Sequence, residues 1–518
     1  MANWRMNRRT FAGLTAAGIA GGMMGLDGAL WAEGDEQPWD PLRPPVVTGR
    51  PLKVQPLLMY TTYQRREATS WRSWGSVNSK QAAAEEMERI GKELRTLAAG
   101  CGFPLQLLPL CSVTSAEEAK KVHENDYDAV LVYPATGSGS LLRACFAPGG
   151  PRDTLIFARH LSGPTYYWYE ALSTRYLKTG TEPELAQNSA ADHGPVTVHD
   201  VVIDDYQELR WRLRALYAIK NFIGQRIVAL GGPMGKYDPQ APKVARDKYR
   251  LQIIDVTYED LARRLEKLRS DAAFLAQAEK WTDQYLALPK TKLATQRAFV
   301  VNAFVLYAVF KQWMREHRTP AFTINACMGT VIPLARTTAC LALSWLNDEG
   351  FLAFCESDFV IIPAGIFLHY VSGKPVFLHN STFPHRGIVT CAHCTGPRRM
   401  DGTQYEPATI MTHYESDYGA APKVEMPIGQ QVTFIDPEYA TGRWVGIKGL
   451  VKGNPCLEIC RSQQDVEIQG EWRRLLAEVR DSHWVMAYGD HLNAIGYAAR
   501  KIGVNWVDIS SPEQASRG

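Results

Sequence analysis

The sequence predicts an α/β protein: two Rossmann-like α/β domains followed by a β-rich, barrel-like C-terminal domain. Three observations predict it. Up to about residue 375, apolar runs of strand length alternate with segments of helical spacing, the pattern of parallel sheets covered by helices. Beyond that point short apolar runs follow one another, separated by Gly and Pro, as in a barrel or sandwich. At 518 residues the chain exceeds what one hydrophobic core usually serves, so several domains are expected.

The N-terminus precedes the fold. Arg5, Arg8 and Arg9 are followed by an apolar, Gly/Ala-rich stretch from Phe11 to Leu26, then Ala29-Leu30-Trp31-Ala32 and the acidic Glu33-Gly34-Asp35-Glu36. Basic, apolar, small and polar in that order describe an export signal. The pair Arg8-Arg9 before Thr10-Phe11 looks like a twin-arginine signal, which implies a periplasmic destination. The apolar run is shorter than the roughly 20 residues that cross a bilayer, so no membrane span is expected in the mature chain. Residues 1–32 are therefore assigned to the signal, and the Pro-rich 33–49 to a linker.

The first α/β domain, 50–200, opens with a strand at Leu52–Tyr60 and a helix at Gln81–Ala99, whose Ala83, Met87, Ile90, Leu94 and Leu97 share one face. A second strand is expected at Pro104–Leu110 and a helix at Ser115–Asn125. The apolar Asp128–Tyr133 then leads into the Gly/Ser loop 134–140, read as a turn because it has neither dinucleotide-fingerprint spacing nor a Walker lysine. The aromatic run Tyr166-Tyr167-Trp168-Tyr169 reads as core or subunit interface, or as a platform for a sugar ring.

The second domain, 201–375, is expected to hold a helix at Asp205–Phe222, a strand at Arg226–Leu230, the turn Gly231-Gly232-Pro233-Met234-Gly235 and a strand at Leu251–Val256. A long helix at Tyr258–Ala278 and a mostly helical Trp281–Glu316 follow. In the third domain, 376–510, strands are expected at Val376–Leu378, Ile388–Cys391, Ala408–His413, Val424–Met426, Gln431–Ile435 and Leu457–Cys460, with a closing helix at Asp490–Ile502.

A net charge of +3, with basic residues scattered rather than clustered, gives no footprint for nucleic acid. Cys391/Cys394 and Cys456/Cys460 are spaced so that zinc, a disulfide or ordinary buried thiols all remain open, with buried thiols favoured.

The chemistry-bearing residues are concentrated between Ala321 and Gly402. A strand ends in Cys355-Glu356-Ser357-Asp358, an apolar helix follows, then Ser372-Gly373-Lys374-Pro375-Val376-Phe377, a polar site position, and Cys391-Ala392-His393-Cys394. Thr412-His413-Tyr414-Glu415 and Ser482-His483-Trp484-Val485-Met486 lie further on. In their order and spacing these motifs resemble the L-fucose isomerase/L-arabinose isomerase family over roughly a third of the chain. The first 320 residues match it only in layout.

The resemblance implies a metal-dependent aldose–ketose isomerase acting on a small sugar through an enediol, with Mn²⁺ or another divalent cation held by a glutamate, an aspartate and a histidine. It places the glutamate on Glu356, as ligand and base, and the histidine on His483. The aspartate position falls on Asn380, which keeps an oxygen ligand but has no base. The alternative implied by Asn380 is an exported carbohydrate-binding relative with altered or no turnover. His393 and Asp358 are expected to contact substrate, Asp358 alternatively capping a helix. His379 is expected on the strand face opposite Asn380. The resemblance also implies a homo-oligomer.

Overall fold

The structure, a computed structural model, describes residues 38–166, 172, 177, 196–438 and 442–511. The expected signal and Tyr167-Trp168-Tyr169 lie outside the described residues. The protein is a mixed α/β fold with parallel sheets and, near the C-terminus, a closed six-stranded antiparallel barrel.

The first sheet is parallel throughout. β1 (Leu52–Met59) pairs along one edge with β2 (Leu105–Leu107) and β3 (Cys111–Val113) in succession. On its other side lie β4 (Ala129–Pro134), β5 (Asp153–Ala158) and β6 (Val201–Ile203). β1, β4 and β5 are almost fully buried, which is why they read as continuous apolar runs rather than alternating ones. β6 completes this sheet just beyond the boundary expected at residue 200.

The second sheet contains β7 (Arg226–Leu230) and β8 (Gln252–Val256). After β9 (Thr291–Leu293), which leaves it, come β10 (Ala321–Ile324) and β11 (Leu352–Phe354), giving the parallel order β11-β10-β7-β8. The chain steps from β7 to one side for β8 and to the other for β10. The strand order therefore reverses at β7, and it is at the carboxyl ends beside such a switch point that ligands collect in parallel sheets. The single helix expected over Tyr258–Ala278 is two, Tyr258–Ser270 and Ala272–Leu286. Asp271 ends one and caps the next, its carboxylate accepting from the backbone N–H of Ala273 and Phe274 at 2.9 and 3.0 Å.

The C-terminal part holds β12 (Phe377–Ser381), β13 (Ile388–His393), the hairpin β14 (Ala408–His413) and β15 (Tyr418–Val424), then β16 (Gln431–Pro437), β17 (Arg443–Gly453), β18 (Ser462–Gln469), β19 (His483–Tyr488) and β20 (Asn505–Asp508). The barrel runs β16-β19-β12-β13-β18-β17 and closes by β16 pairing with β17; β20 adds in parallel to β17. Leu457–Cys460, expected as a strand, is not one; the strand begins at Ser462. The hairpin does not join the barrel but takes β9 as its third strand, stitching the second and third parts together.

One hydrophobic core runs through all three parts. It includes Val54 and Leu131 of the first sheet, Leu216 of helix Tyr206–Phe222, Phe367 of helix Ile362–Ser372, and Val485 and Ala487 on the outer face of the barrel. Every residue of helix Ile362–Ser372 is buried, so the barrel and the second sheet are held at a fixed mutual position. Among the described residues no single helix is long and apolar enough to cross a membrane.

The described part of the expected linker is docked rather than free. Trp39 is 4% exposed and packs on Phe304, Trp345 and Tyr285 with ring centroids 4.9, 6.0 and 6.1 Å away. Val46 N donates to Glu349 O at 2.7 Å, and Arg399 donates to Arg43 O at 2.9 Å. A second fastening lies beside it. Asp348 accepts from the backbone N–H of both Arg398 and Arg399 at 2.7 Å, and Tyr488 of the barrel donates to Glu406 at 2.5 Å. Burial pushes the Glu406 carboxyl up to about 8 and the Asp348 carboxyl to about 7.

Trp39→Ala will destabilise the fold by about 3–5 kcal/mol, read as a shifted midpoint in urea denaturation; an unchanged midpoint would mean the segment is merely draped on the surface. Glu406 predicts a pH dependence. Between pH about 4.5 and 8 the folded chain keeps a proton that the unfolded chain releases, so stability falls as pH rises through that window. Glu406→Gln removes this share of the fall and will be the more stable protein at pH 8, by on the order of 3 kcal/mol, in denaturation curves taken at pH 5, 6.5 and 8.

Candidate metal centre

The site forms where the carboxyl ends of β7 and β11 meet the rim of the barrel. β11 ends at Phe354, and Glu356 and Ser357 then both adopt left-handed backbone, with φ of 65° and 47°. Neither is a glycine, so the turn is strained. It is held by the loop after β7: Met234 N donates to Ser357 O at 3.0 Å and Phe359 N to Met234 O at 2.8 Å. That loop in turn depends on Gly231, where φ is +77° and a Cβ would lie 1.9 Å from the Tyr258 hydroxyl oxygen.

The reversal at 356–357 sends two carboxylates in different directions. Asp358 turns inward and is fully buried. Its Oδ1 accepts from Lys236 N at 2.9 Å and Val360 N at 3.1 Å, and its Oδ2 lies 2.7 Å from His483 Nδ1. A carboxylate accepts, so Nδ1 of His483 carries the proton and Nε2 is left with its lone pair. Asp358 was expected to contact substrate. Its place is behind His483, which it orients, and both of its oxygens are occupied.

Glu356 points outward, its side chain 38% exposed. Its Oε2 lies 3.7 Å from His483 Nε2 and its Oε1 3.5 Å from His393 Nε2. His393, at the end of β13, pairs through Nδ1 with the Thr395 hydroxyl at 3.0 Å. One ligand atom from each of Glu356, His393 and His483 lies within 4.8 Å of the other two, and the described residues hold no other such group of His, Cys, Asp or Glu. Burial opposes ionisation of Glu356, but its neighbours His393, His483 and Lys236 hold its carboxyl well below the usual range.

These donors suit a divalent ion. One carboxylate oxygen and two imidazole nitrogens form a set that transition metals accept. A buried carboxylate that fixes the tautomer of a ligating histidine is a recurrent outer partner of metal sites. Of the residues expected to hold the ion, Glu356 and His483 do converge. Asn380 lies directly across the strand pair from His483, on the same face, but the third member of the compact group is His393. His379 faces the other way, packed on Phe377, Phe434 and Trp484 in the barrel interior. Burial lowers its imidazole to about 3, so it stays neutral.

Lys236 is the site residue that sequence reasoning did not single out. Its Nζ lies 3.1 Å from His483 Nε2 and 3.3 Å from Glu356 Oε2. The preceding glycines read only as a turn. Its placement at the carboxyl end of a central parallel strand was the signal available.

The cysteines do not assemble as a four-thiol site. Cys391 lies in the barrel interior, Cys394 packs with Cys340 and Cys460, and Cys456 is exposed; the described cysteines are all free thiols. The spacing had brought Cys391 and Cys394 together on paper, but Cys391 lies within β13 and packs into the barrel interior, whereas Cys394 lies in the turn just past the strand's end and packs with Cys340 and Cys460. The site itself opens to solvent. A separate depression of about 430 Å³ lies elsewhere, at Leu293, Phe299, Thr412 and Tyr418, and no histidine lines it.

No protein-family model matches the chain, and no curated protein matches it.

Asp358→Asn leaves His483 free to change tautomer and is expected to weaken binding of a divalent ion at this group about 10–100-fold, measured by isothermal titration calorimetry on protein whose circular dichroism is unchanged. Equal affinity in the variant would remove Asp358 from the site.

Proposed function

We propose that this chain is a metal-dependent aldose–ketose isomerase of the L-fucose/L-arabinose isomerase type, exported and acting on a small sugar. The observation that carries this reading is the convergence of Glu356, His393 and His483 within 4.8 Å, where the carboxyl ends of a parallel sheet meet the rim of the barrel. Mn²⁺ or another divalent ion would be held by these three side chains, with the Asn380 amide oxygen beside them, and when bound it supplies Lewis-acid stabilisation of charge on two neighbouring sugar oxygens.

The protein's own residues supply the rest. Glu356 is ionised at any working pH and partly open to solvent, so it is available to take a proton from one sugar carbon. Both carbons are reached from one face of a planar enediol, so the same carboxylate can return the proton to the neighbouring carbon. Asp358 keeps His483 in one tautomer, and Thr395 holds His393. Asn380 accepts hydrogen bonds but no proton at an accessible pH, so hydroxyl protons must pass through another group or water.

The finer features of the reading go with it: two parallel sheets as Rossmann-like layers, twin-arginine export to the periplasm, and a homo-oligomer. Asn380 also supports a second reading, a carbohydrate-binding relative without turnover.

Incubation of Mn²⁺-loaded protein with a panel of aldoses in D₂O separates the two. Ketose formation, with deuterium at C1 or C2, supports the isomerase. Saturable sugar binding without exchange supports the second reading, and neither outcome with any sugar would overturn both. Glu356→Gln is expected to abolish turnover. Asn380→Asp restores a second proton-transfer group and is expected to raise kcat, within the roughly 10²–10⁴-fold that such groups supply.

A further inference from the structure

Lys236 is a cation already resident in the candidate metal centre. Its Nζ lies 3.1 Å from His483 Nε2 and 3.3 Å from Glu356 Oε2. Its own backbone N–H is fixed by Asp358 Oδ1 at 2.9 Å, so the start of the side chain cannot drift. The side chain is 23% exposed and therefore has solvent to move into.

The decisive point is the histidine. With Nδ1 donating to Asp358, Nε2 of His483 has a single lone pair in the ring plane. In the structure that lone pair faces the lysine amine. A lone pair that accepts a hydrogen bond from an ammonium cannot also ligate an ion. Lysine contact and metal ligation at His483 are therefore mutually exclusive, whichever ion is offered. Glu356 is shared in the same way, its Oε2 facing both Lys236 and His483.

We propose that Lys236 is a displaceable latch on this metal centre: its ammonium holds Glu356 and His483 together as an internal counter-ion, and a divalent ion binds only by driving the lysine side chain out toward solvent. The proposal rests on the metal reading of Glu356, His393 and His483. The latch gives the centre two states. With the lysine in, the carboxylate and imidazole stay preorganised without an ion; with the lysine out, its amine stands at the mouth of the site. The latch also sets a threshold, because weakly binding cations fail to displace it while a tightly coordinated divalent ion does.

The test uses purified full-length protein and Mn²⁺ alone, at fixed pH and ionic strength. Isothermal titration calorimetry is run on wild type, Lys236→Met and Glu356→Gln. Removing the competitor is expected to tighten Mn²⁺ binding about tenfold, the effect of one charge-assisted hydrogen bond no longer having to be broken. Glu356→Gln is expected to weaken it. In parallel, wild type is treated with an amine-acetylating reagent with and without Mn²⁺, and the Lys236 peptide is quantified by mass spectrometry. Mn²⁺ should raise acetylation of Lys236 several-fold over that of the surface lysines. Tight Mn²⁺ binding by wild type that Lys236→Met leaves equal or weaker, or acetylation indifferent to Mn²⁺, overturns the latch while leaving the metal reading intact. If neither wild type nor Lys236→Met binds Mn²⁺ at millimolar concentration, the metal reading itself fails and the latch with it. The acetylation arm needs no variant, so a misfolded Lys236→Met would not rescue the proposal.

Discussion

The candidate site depends on one buried carboxylate. Asp358 accepts from the loop after β7 through Lys236 N, from its own turn through Val360 N, and from the barrel through His483 Nδ1. Three separately folded elements therefore meet on two oxygen atoms that no water reaches. Carboxylates are tolerated in such a place only when they are paired and hydrogen-bonded, and removing one partner of a buried pair typically costs about 3–5 kcal/mol. The same bonds that make the burial affordable also decide which nitrogen of His483 faces outward. Orientation and stability are thus a single arrangement, and neither can be altered without the other.

Strain is placed where the carboxylate can hold it. Two consecutive residues with left-handed backbone, Glu356 and Ser357, would each cost about 1–3 kcal/mol in isolation. Here the turn is clamped on one side by the Met234 backbone pair and on the other by Asp358. Because neither flank can relax, Glu356 is presented to the histidines from a rigid base rather than from a mobile loop. The closed barrel does the same for the histidines: β12, β13 and β19 are hydrogen-bonded neighbours, so the positions of Asn380, His393 and His483 are fixed by register.

Much of this was legible in the sequence, and the parts that were not have identifiable physical causes. Buried parallel strands such as β1, β4 and β7 announce themselves as apolar runs, and Glu356 and His483 were found by motif. β17 was missed because glycines interrupt its pattern. Gly446 makes room for Trp506, and Gly449 lies against the backbone of β18, so the residues that break the apolar run are those that let neighbouring strands approach. β18 begins with Gln463 and Gln464, polar yet buried, whose amides bond to the backbone of Leu457, Cys460 and Val424. Polarity there signals internal hydrogen bonding rather than a loop. The break at Asp271 was written in a capping residue inside an otherwise continuous helical pattern. His393 was seen but given a lesser role, because its approach to Glu356 depends on the barrel closing. Lys236 could not be recognised from its neighbours, since its partners lie 120 and 247 residues away.

The docked segment that begins at Trp39 has a consequence for how the chain can be shortened. An indole wedged among Phe304, Trp345 and Tyr285 acts as a stopper: a peptidase working inward from the N-terminus meets folded chain at this point. Any maturation event compatible with this architecture must cut ahead of the stopper. A cut beyond it would uncork an aromatic cavity in the second layer, directly beside the helix that carries Asp348.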